Sequence, residues 1–528
     1  MQKQIIKLSF FLTAFLIVPN FAKAATYYVC DTQATCNAIP SGWGIGNNSN
    51  AGTLKSAPKK TISAAVDSLS AGDTLIIGDG VYIGVDNMIG QDGNEIFPPS
   101  GIDATHRTTI MAEHIGQAII DGEYLQKPFQ VFDGKPRDYL HIDGIHFRRG
   151  DGGVFTLGGN YNYVSNCGFE DGGNYDGEYP IASVTQGAYI LVEDCWVWGY
   201  GRYGLYTGSV LGGTNHVIFR RVVVRLDDTP SWMTAGLRFY KAQNNAMQNC
   251  VVIDNNVNAN AGEPYAITQG GGSSYTEEYN HIYVGNIALN NPDQDGFGNE
   301  DGDTIETMSD NISWDNMSGI KIYSDSEVSN PFTLNVSNGL IGGHNAMFGT
   351  GTTSSYRNNT TINLSNSVIA NTNGYAFSQT NMAQNLTNVV SYGNINNTVC
   401  NGCLGTPIVT NPFTSAIKYL PRHESGTAGP TIMYQIGEKG TYYDQTGWNT
   451  TTTNQLWPFP NEAMWSAKMK AYTASGPGGN RGFAALSGST ETPLTDYIWG
   501  YLGTPKPVDM YGSTDEIAPS AASGLSVQ

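Results

Sequence analysis

Ten times between Tyr139 and Asn394 the chain returns to one short phrase, and that recurrence restricts its fold more than any other feature. From its first apolar residue the phrase reads Ile142-Asp-Gly-Ile-His-Phe, Val164-Ser-Asn-Cys-Gly-Phe, Val192-Glu-Asp-Cys-Trp-Val, Phe219-Arg-Arg-Val-Val-Val and Met247-Gln-Asn-Cys-Val-Val. It continues as Tyr283-Val-Gly-Asn-Ile-Ala, Met308-Ser-Asp-Asn-Ile-Ser, Val336-Ser-Asn-Gly-Leu-Ile, Leu364-Ser-Asn-Ser-Val-Ile and Leu386-Thr-Asn-Val-Val-Ser. Successive starts lie 22, 28, 27, 28, 36, 25, 28, 28 and 22 residues apart. A period of this size marks a solenoid, whose repeats bury their apolar faces only by stacking.

The third position of the phrase selects the kind of solenoid. It holds Gly144, Asn166, Asp194, Arg221, Asn249, Gly285, Asp310, Asn338, Asn366 and Asn388. All but Arg221 are Gly, Asn or Asp, the residues that enter the left-handed region most cheaply, so a bend recurs there. Five residues on, a second such column holds Asp171, Gly199, Asp254, Asn290, Asp315, Gly343, Asn371 and Gly393, with Leu226 the exception. Short runs rich in Val, Ile and Phe separate the bends, and a third run follows, as in Gly204-Leu-Tyr-Thr, Gly236-Leu-Arg-Phe and Gly319-Ile-Lys-Ile. A β-sandwich also has short strands but does not demand turn residues in register. The reading is all-β: a right-handed parallel β-helix with three short strands per coil and about ten coils or more.

Both ends depart from the repeat. The stretch from Thr61 to Tyr82 predicts a short helix with Ile62, Ala65, Val66 and Leu69 on one face and Gly72 as its stop, followed by a strand. It resembles the opening of pectate-lyase-like β-helix proteins, a resemblance that implies a helix plugging the first coil. Such a plug is needed physically, because an uncapped coil exposes core and strand edges. Past Asn394 the repeat stops. The segments from Leu456 to Met469 and from Thr492 to Leu502 are candidate helices of a tail, 405–515, folded on the end or flank of the solenoid that spans 25–404. The tail's Trp-Pro-x-Pro-Asn-Glu and Tyr-Ile-Trp-x-Tyr-Leu-Gly phrases are similar to tails of secreted bacterial β-helix proteins. Residues 516–528 resemble the lead into a fibronectin type III module.

Lys3 and Lys7, an apolar run from Leu8 to Val18 and the small-residue site Ala22-Lys-Ala24 predict a secretory signal over 1–24, too short to span a bilayer. The expected product is secreted or held at the cell surface, and monomeric. A formal charge of −19 argues against a nucleic-acid partner, which needs clustered Lys and Arg; it suits cations, or simply solubility. Export makes disulfides plausible for Cys30 with Cys36 and Cys400 with Cys403, although the latter spacing also fits half a zinc site. Cys167, Cys195 and Cys250 share one column and read as stacked core thiols.

A stiff rod with outward side chains at each rung suits long polymers such as polysaccharides, but the function rests on a site. Asp254 lies in the second bend column, Asp293 and Asp295 in the equivalent loop one coil on, and Lys321 on the third strand of the next coil, so stacking makes them near neighbours. Converging carboxylates bind Ca²⁺ through oxygen, and a lysine near a cation can serve as a base. The arrangement is similar to that of family 9 polysaccharide lyases. The resemblance implies Asp254, Asp293 and Asp295 as calcium ligands, Lys321 as the base, and β-elimination on a uronate polymer. Here Asp-Gln-Asp stands where that family has adjacent aspartates, and Tyr323 and Ser324 where glycines are expected. Asp301, in the same acidic loop, is a further candidate ligand.

Arg238 and Lys241 are further candidates for catalysis, Arg238 pointing outward between Leu237 and Phe239. Trp232 and Tyr240, in an aromatic-rich zone with Trp196 and Trp198, are candidates for stacking on sugar rings. Asp227-Asp228 resembles the acid–base pair of polygalacturonases, whose other motifs are missing. Each residue also has a plainer reading: Asp254 as a turn former, Lys321 as an exposed strand residue, the aromatics as core. The rival to a lyase is a non-catalytic carbohydrate-binding or adhesive surface protein.

Overall fold

The computed structural model describes residues 24–31, 42–91, 94–132, 134–173, 179–208, 214–227, 234–255, 264–270, 280–300, 305–323, 332–343, 360–372, 383–394, 403–409, 459–475 and 493–501. Their strands form three sheets: sheet 1 of 14 strands, sheet 2 of 12 and sheet 3 of nine. Through Ser318–Tyr323 the coils pass through sheets 1, 2 and 3 in that order and return to sheet 1 one rung higher; beyond it the described strands belong to sheets 1 and 2. Leu140–Asp143, His146–Arg148 and Phe155–Gly158 make one coil, and Tyr163–Ser165 begins the next beside Leu140–Asp143. Every strand pairs in parallel with its successor, as a right-handed parallel β-helix requires.

The bends lie where the sequence places them. All ten residues of the first column have φ between +47° and +73°. In the second column, Asp171, Asp254, Asn290, Asp315 and Asn371 have φ between +51° and +57°, and the glycines are left-handed as well. Leu226 instead ends the strand Val223–Leu226, paired with Gly199. A third column, not anticipated, lies at the start of the sheet 1 rungs: Tyr139, Tyr161, Tyr189 and His216 all have positive φ, and their rings stack at 5.0, 4.9 and 4.7 Å. At the second bends, Asn291 and Asn316 each turn an amide oxygen to the backbone N–H one coil back, of Asn255 and Asn291.

The interior is a continuous apolar stack. Cys167, Cys195 and Cys250 are free thiols buried within it. One corner, between sheets 3 and 1, is polar. Glu306, Asn299, Gln269 and His281 are all buried, Asn299 Nδ2 donates to Glu306 Oε2 at 2.7 Å, and His281 lies opposite Glu306 in the ladder. Burial pushes Glu306 up to about 7 despite its amide donors, and holds His281 down at about 3.

At the N-terminal end, α1 (Ile62–Val66) caps the core, with Thr61 accepting from Ala64 N. It stops well before Gly72. Ser68 bonds back to Ala64 O and Ser70 pairs with Asp73, so short polar side chains compete with the helix before the glycine is reached. Cys30 is buried and disulfide-bonded. Cys36, Cys400, the side chain of Cys403 and residues 1–23 fall outside the described residues.

Two helices, α2 (Glu462–Ser475) and α3 (Pro493–Tyr501), lie on the outer face of sheet 2. That face is apolar where a solvated one would be polar: Trp196, Val223, Val251, Ile287 and Ile312 stack rung upon rung and are buried with Trp465, Met469, Leu494 and Ile498. Gly168 continues the row below Trp196, and a Cβ there would come within 2.2 Å of the Trp465 ring. Trp196 and Trp198 therefore serve tail packing, not a sugar-facing strip.

Candidate functional site

The outer face of sheet 3 gathers the predicted basic residues. Leu237, Phe239, Phe297, Ile320 and Ile322 face the core, which turns the side chains between them outward. Register then stacks Tyr206, Arg238, Thr268, Gly298 and Lys321 in one column. Tyr203, Ala235, Tyr265, Asp295 and Ser318 form the column beside it.

Cations and tyrosine rings alternate along this face. The Arg238 guanidinium lies 5.2 Å from the Tyr203 ring and 5.0 Å from that of Tyr240. Arg202 lies 4.9 Å from Tyr203, Lys241 5.2 Å from Tyr240, and Lys321 5.3 Å from Tyr265. Gly298 makes room for this: a Cβ there would meet the Tyr265 ring at 2.2 Å. Although they point away from the core, Arg238 and Lys321 are only 1% and 8% exposed. Tyr206, Tyr240 and Lys241 are half-buried.

Lys321 Nζ is 3.4 Å from Asp295 Oδ2, and Ser318 Oγ donates to Asp295 Oδ1. Burial raises the Asp295 carboxyl above its ordinary range, and Lys321 draws it part of the way back. Asp295 is thus the charge partner of Lys321 itself.

The expected calcium ligands do not assemble. Asp254 is fully buried, and its Oδ1 accepts from Tyr497 of α3 at 2.6 Å and from Asn290 at 2.5 Å. Asp293 is half-buried in the loop before Asp295. Among the described residues no three His, Cys, Asp or Glu side chains come together as a metal would need. Asp301 and Trp232 lie outside the described residues. Asp254 is committed to the tail and Asp295 to Lys321, and no step is derived through calcium.

The second bend column has a different role, which sequence reasoning missed. Asp171 Oδ2 accepts from Tyr124 at 2.6 Å and from Tyr472 of α2 at 3.2 Å, Asp254 from Tyr497, and Asn290 Oδ1 from Tyr501 at 3.0 Å. The column is the line on which the tail is fastened. The only signal was a tyrosine-rich tail far along the chain.

No family model and no curated protein matches this chain. Among solved structures, it is similar to pectate lyase Pel9A, at 12% identity over 73% of this chain and 80% of that one, with a TM-score of 0.33. It is also similar to the catalytic unit of a GH87 α-1,3-glucanase from Streptomyces thermodiastaticus, at 11% identity over 74% and 70%, TM-score 0.43. A rhamnogalacturonan lyase is similar at 14% identity over 73% and 87%, TM-score 0.33.

Proposed function

We propose that the outer face of sheet 3 recognises an acidic polysaccharide, a polymer of uronate units laid along the solenoid. The observation that carries this is the series of cation–tyrosine pairs, Arg202, Arg238, Lys241 and Lys321 against Tyr203, Tyr240 and Tyr265, in a chain of formal charge −19. A uronate ring has an apolar face for a tyrosine and a carboxylate for a cation. Arg202, Tyr240 and Lys241, half-buried, are its accessible part. The reading includes export, resting on the basic, apolar and small-residue pattern of residues 3–24. Retardation in gels containing polygalacturonate or alginate tests it. Tyr240→Ala and Lys241→Ala should each weaken retention about tenfold, the worth of one cation–π or charge contact. Native protein unaffected by either polymer would end the proposal.

A second reading, β-elimination, has one observation in its favour: the raised Asp295 carboxyl beside Lys321. In that reading Lys321 takes the C5 proton of a uronate as the C4–O bond breaks and the departing oxygen takes a proton from water, leaving an unsaturated uronate and a new chain end. Arg238 and Lys241 would offset the uronate carboxylate. Absorbance of the unsaturated product, present with native protein and absent with Lys321→Ala, would support it. Binding without that product leaves recognition as the function.

A further inference from the structure

Sheet 1 ends in a surface unlike the rest of its outer face. Near its middle, outward and bend positions carry an ion network: Arg221 pairs with Asp194 and Glu193, and Arg220 with Glu193. Over its last four long rungs, Ile305–Ser309, Phe332–Ser337, Thr360–Ser365 and Ala383–Thr387, the inward Met308, Leu334, Ile362 and Leu386 belong to the core. Every described outward side chain there except Ala383 is Thr, Ser or Asn, and all are exposed or half-buried. None is charged.

A ladder runs up the centre. Asn363 Nδ2 donates to Asn335 Oδ1 at 2.8 Å, and Asn385 Nδ2 to Asn363 Oδ1 at 2.7 Å. A primary amide has two N–H groups and two lone pairs, and the ladder uses one of each at Asn363. The remaining donor and acceptor stand side by side with an orientation the ladder has already set. Asn385, the last amide of the ladder, pairs in register with Leu404 of the short final strand, and its Oδ1 is buried without a hydrogen-bond partner. Thr333 and Thr361 flank the ladder on one side, Ser337 and Ser365 on the other, in register. The result is a grid of neutral donors and acceptors, about 4.8 Å between rungs and about 6.6 Å between columns.

We propose that this grid is a docking surface for an uncharged polysaccharide lying along the solenoid, at a site separate from sheet 3 and independent of its reading. A polyanion is disfavoured, because nothing on the grid offsets the desolvation of its carboxylates or phosphates. An apolar partner is disfavoured too, since its burial would strand the amide and hydroxyl groups. Pyranose hydroxyls donate and accept at once, carry no charge, and recur along a chain at about the height of a rung. The rigid grid adds little ordering entropy on binding.

The test is affinity electrophoresis of full-length protein in gels containing a neutral β-glucan, hydroxyethylcellulose or polygalacturonate, with Asn363→Glu, Thr361→Lys and Lys321→Ala as variants. Retardation by at least one neutral polymer, reduced tenfold or more by Asn363→Glu and Thr361→Lys and unchanged by Lys321→Ala, is the expected result. The melting temperatures of both grid variants should stay near native, because these side chains face solvent. No retardation by either neutral polymer overturns the proposal, as does retardation that the grid variants leave intact. Concentration-dependent self-association abolished by Asn363→Glu would assign the surface to a second copy of this chain and equally overturn it.

Discussion

Arg221 occupies a bend column otherwise filled by Gly, Asn and Asp, with φ +48°. A left-handed backbone costs a bulky residue about 1–2 kcal/mol, yet its side chain, 1% exposed, bonds both oxygens of Asp194 and reaches Glu193. Arg221→Gly should therefore destabilise, although it frees the backbone: the buried Asp194 loses its cation and Glu193 is left with Arg220, a cost of roughly 3–5 kcal/mol. The urea midpoint measures the balance, and a rise would refute it. Glu306 makes a second prediction. Its carboxyl ionises near 4.5 when unfolded and at about 7 when folded, so the fold favours the protonated form. That stabilisation is complete below about pH 4.5 and is lost as pH climbs through 7. His281, neutral when folded but protonated below about 6.5 when unfolded, works in the opposite direction, so the expectation is differential: the melting temperature of native protein relative to that of Glu306→Gln should fall across this window.

At the scale of elements, the tail helices and sheet 2 depend on each other. Sheet 2 presents apolar side chains on both faces, which only a second covering layer makes compatible with water. Gly168→Ala should displace Trp465, because a Cβ has no room beneath the ring. The readouts are a red shift in tryptophan emission and faster proteolysis between α2 and the solenoid. Tyr497→Phe leaves the packing but removes a donor from the buried Asp254, at a cost of about 1–3 kcal/mol. These bonds also explain why Asp254, in a bend column and a plausible calcium ligand by sequence, faces the tail.

For the whole molecule, charge is distributed against the net balance. An acidic chain carries a run of cations on sheet 3 and a charge-free grid on sheet 1, two surfaces that should differ in their sensitivity to salt. Polygalacturonate retention should fall steeply as ionic strength rises, since screening weakens exposed charge contacts, whereas any neutral-polymer retention should barely change.

The sequence by itself determined the coil. Vertical neighbours in a solenoid sit one repeat apart, so bends, inward residues and ladder partners recur at a readable offset. Arg238 on the outer face, the cysteine column and the left-handed residues of the two bend columns follow from that local rule. Tertiary structure alone decided what meets those positions from outside the repeat. The contacts of Tyr472 with Asp171 and of Tyr497 with Asp254 span 301 and 243 residues, separations that no period encodes. Nor does alternation report the depth of an outward side chain: Lys321 faces away from the core yet is buried against Asp295 and Tyr265, which gives the expected base an ion-pair partner.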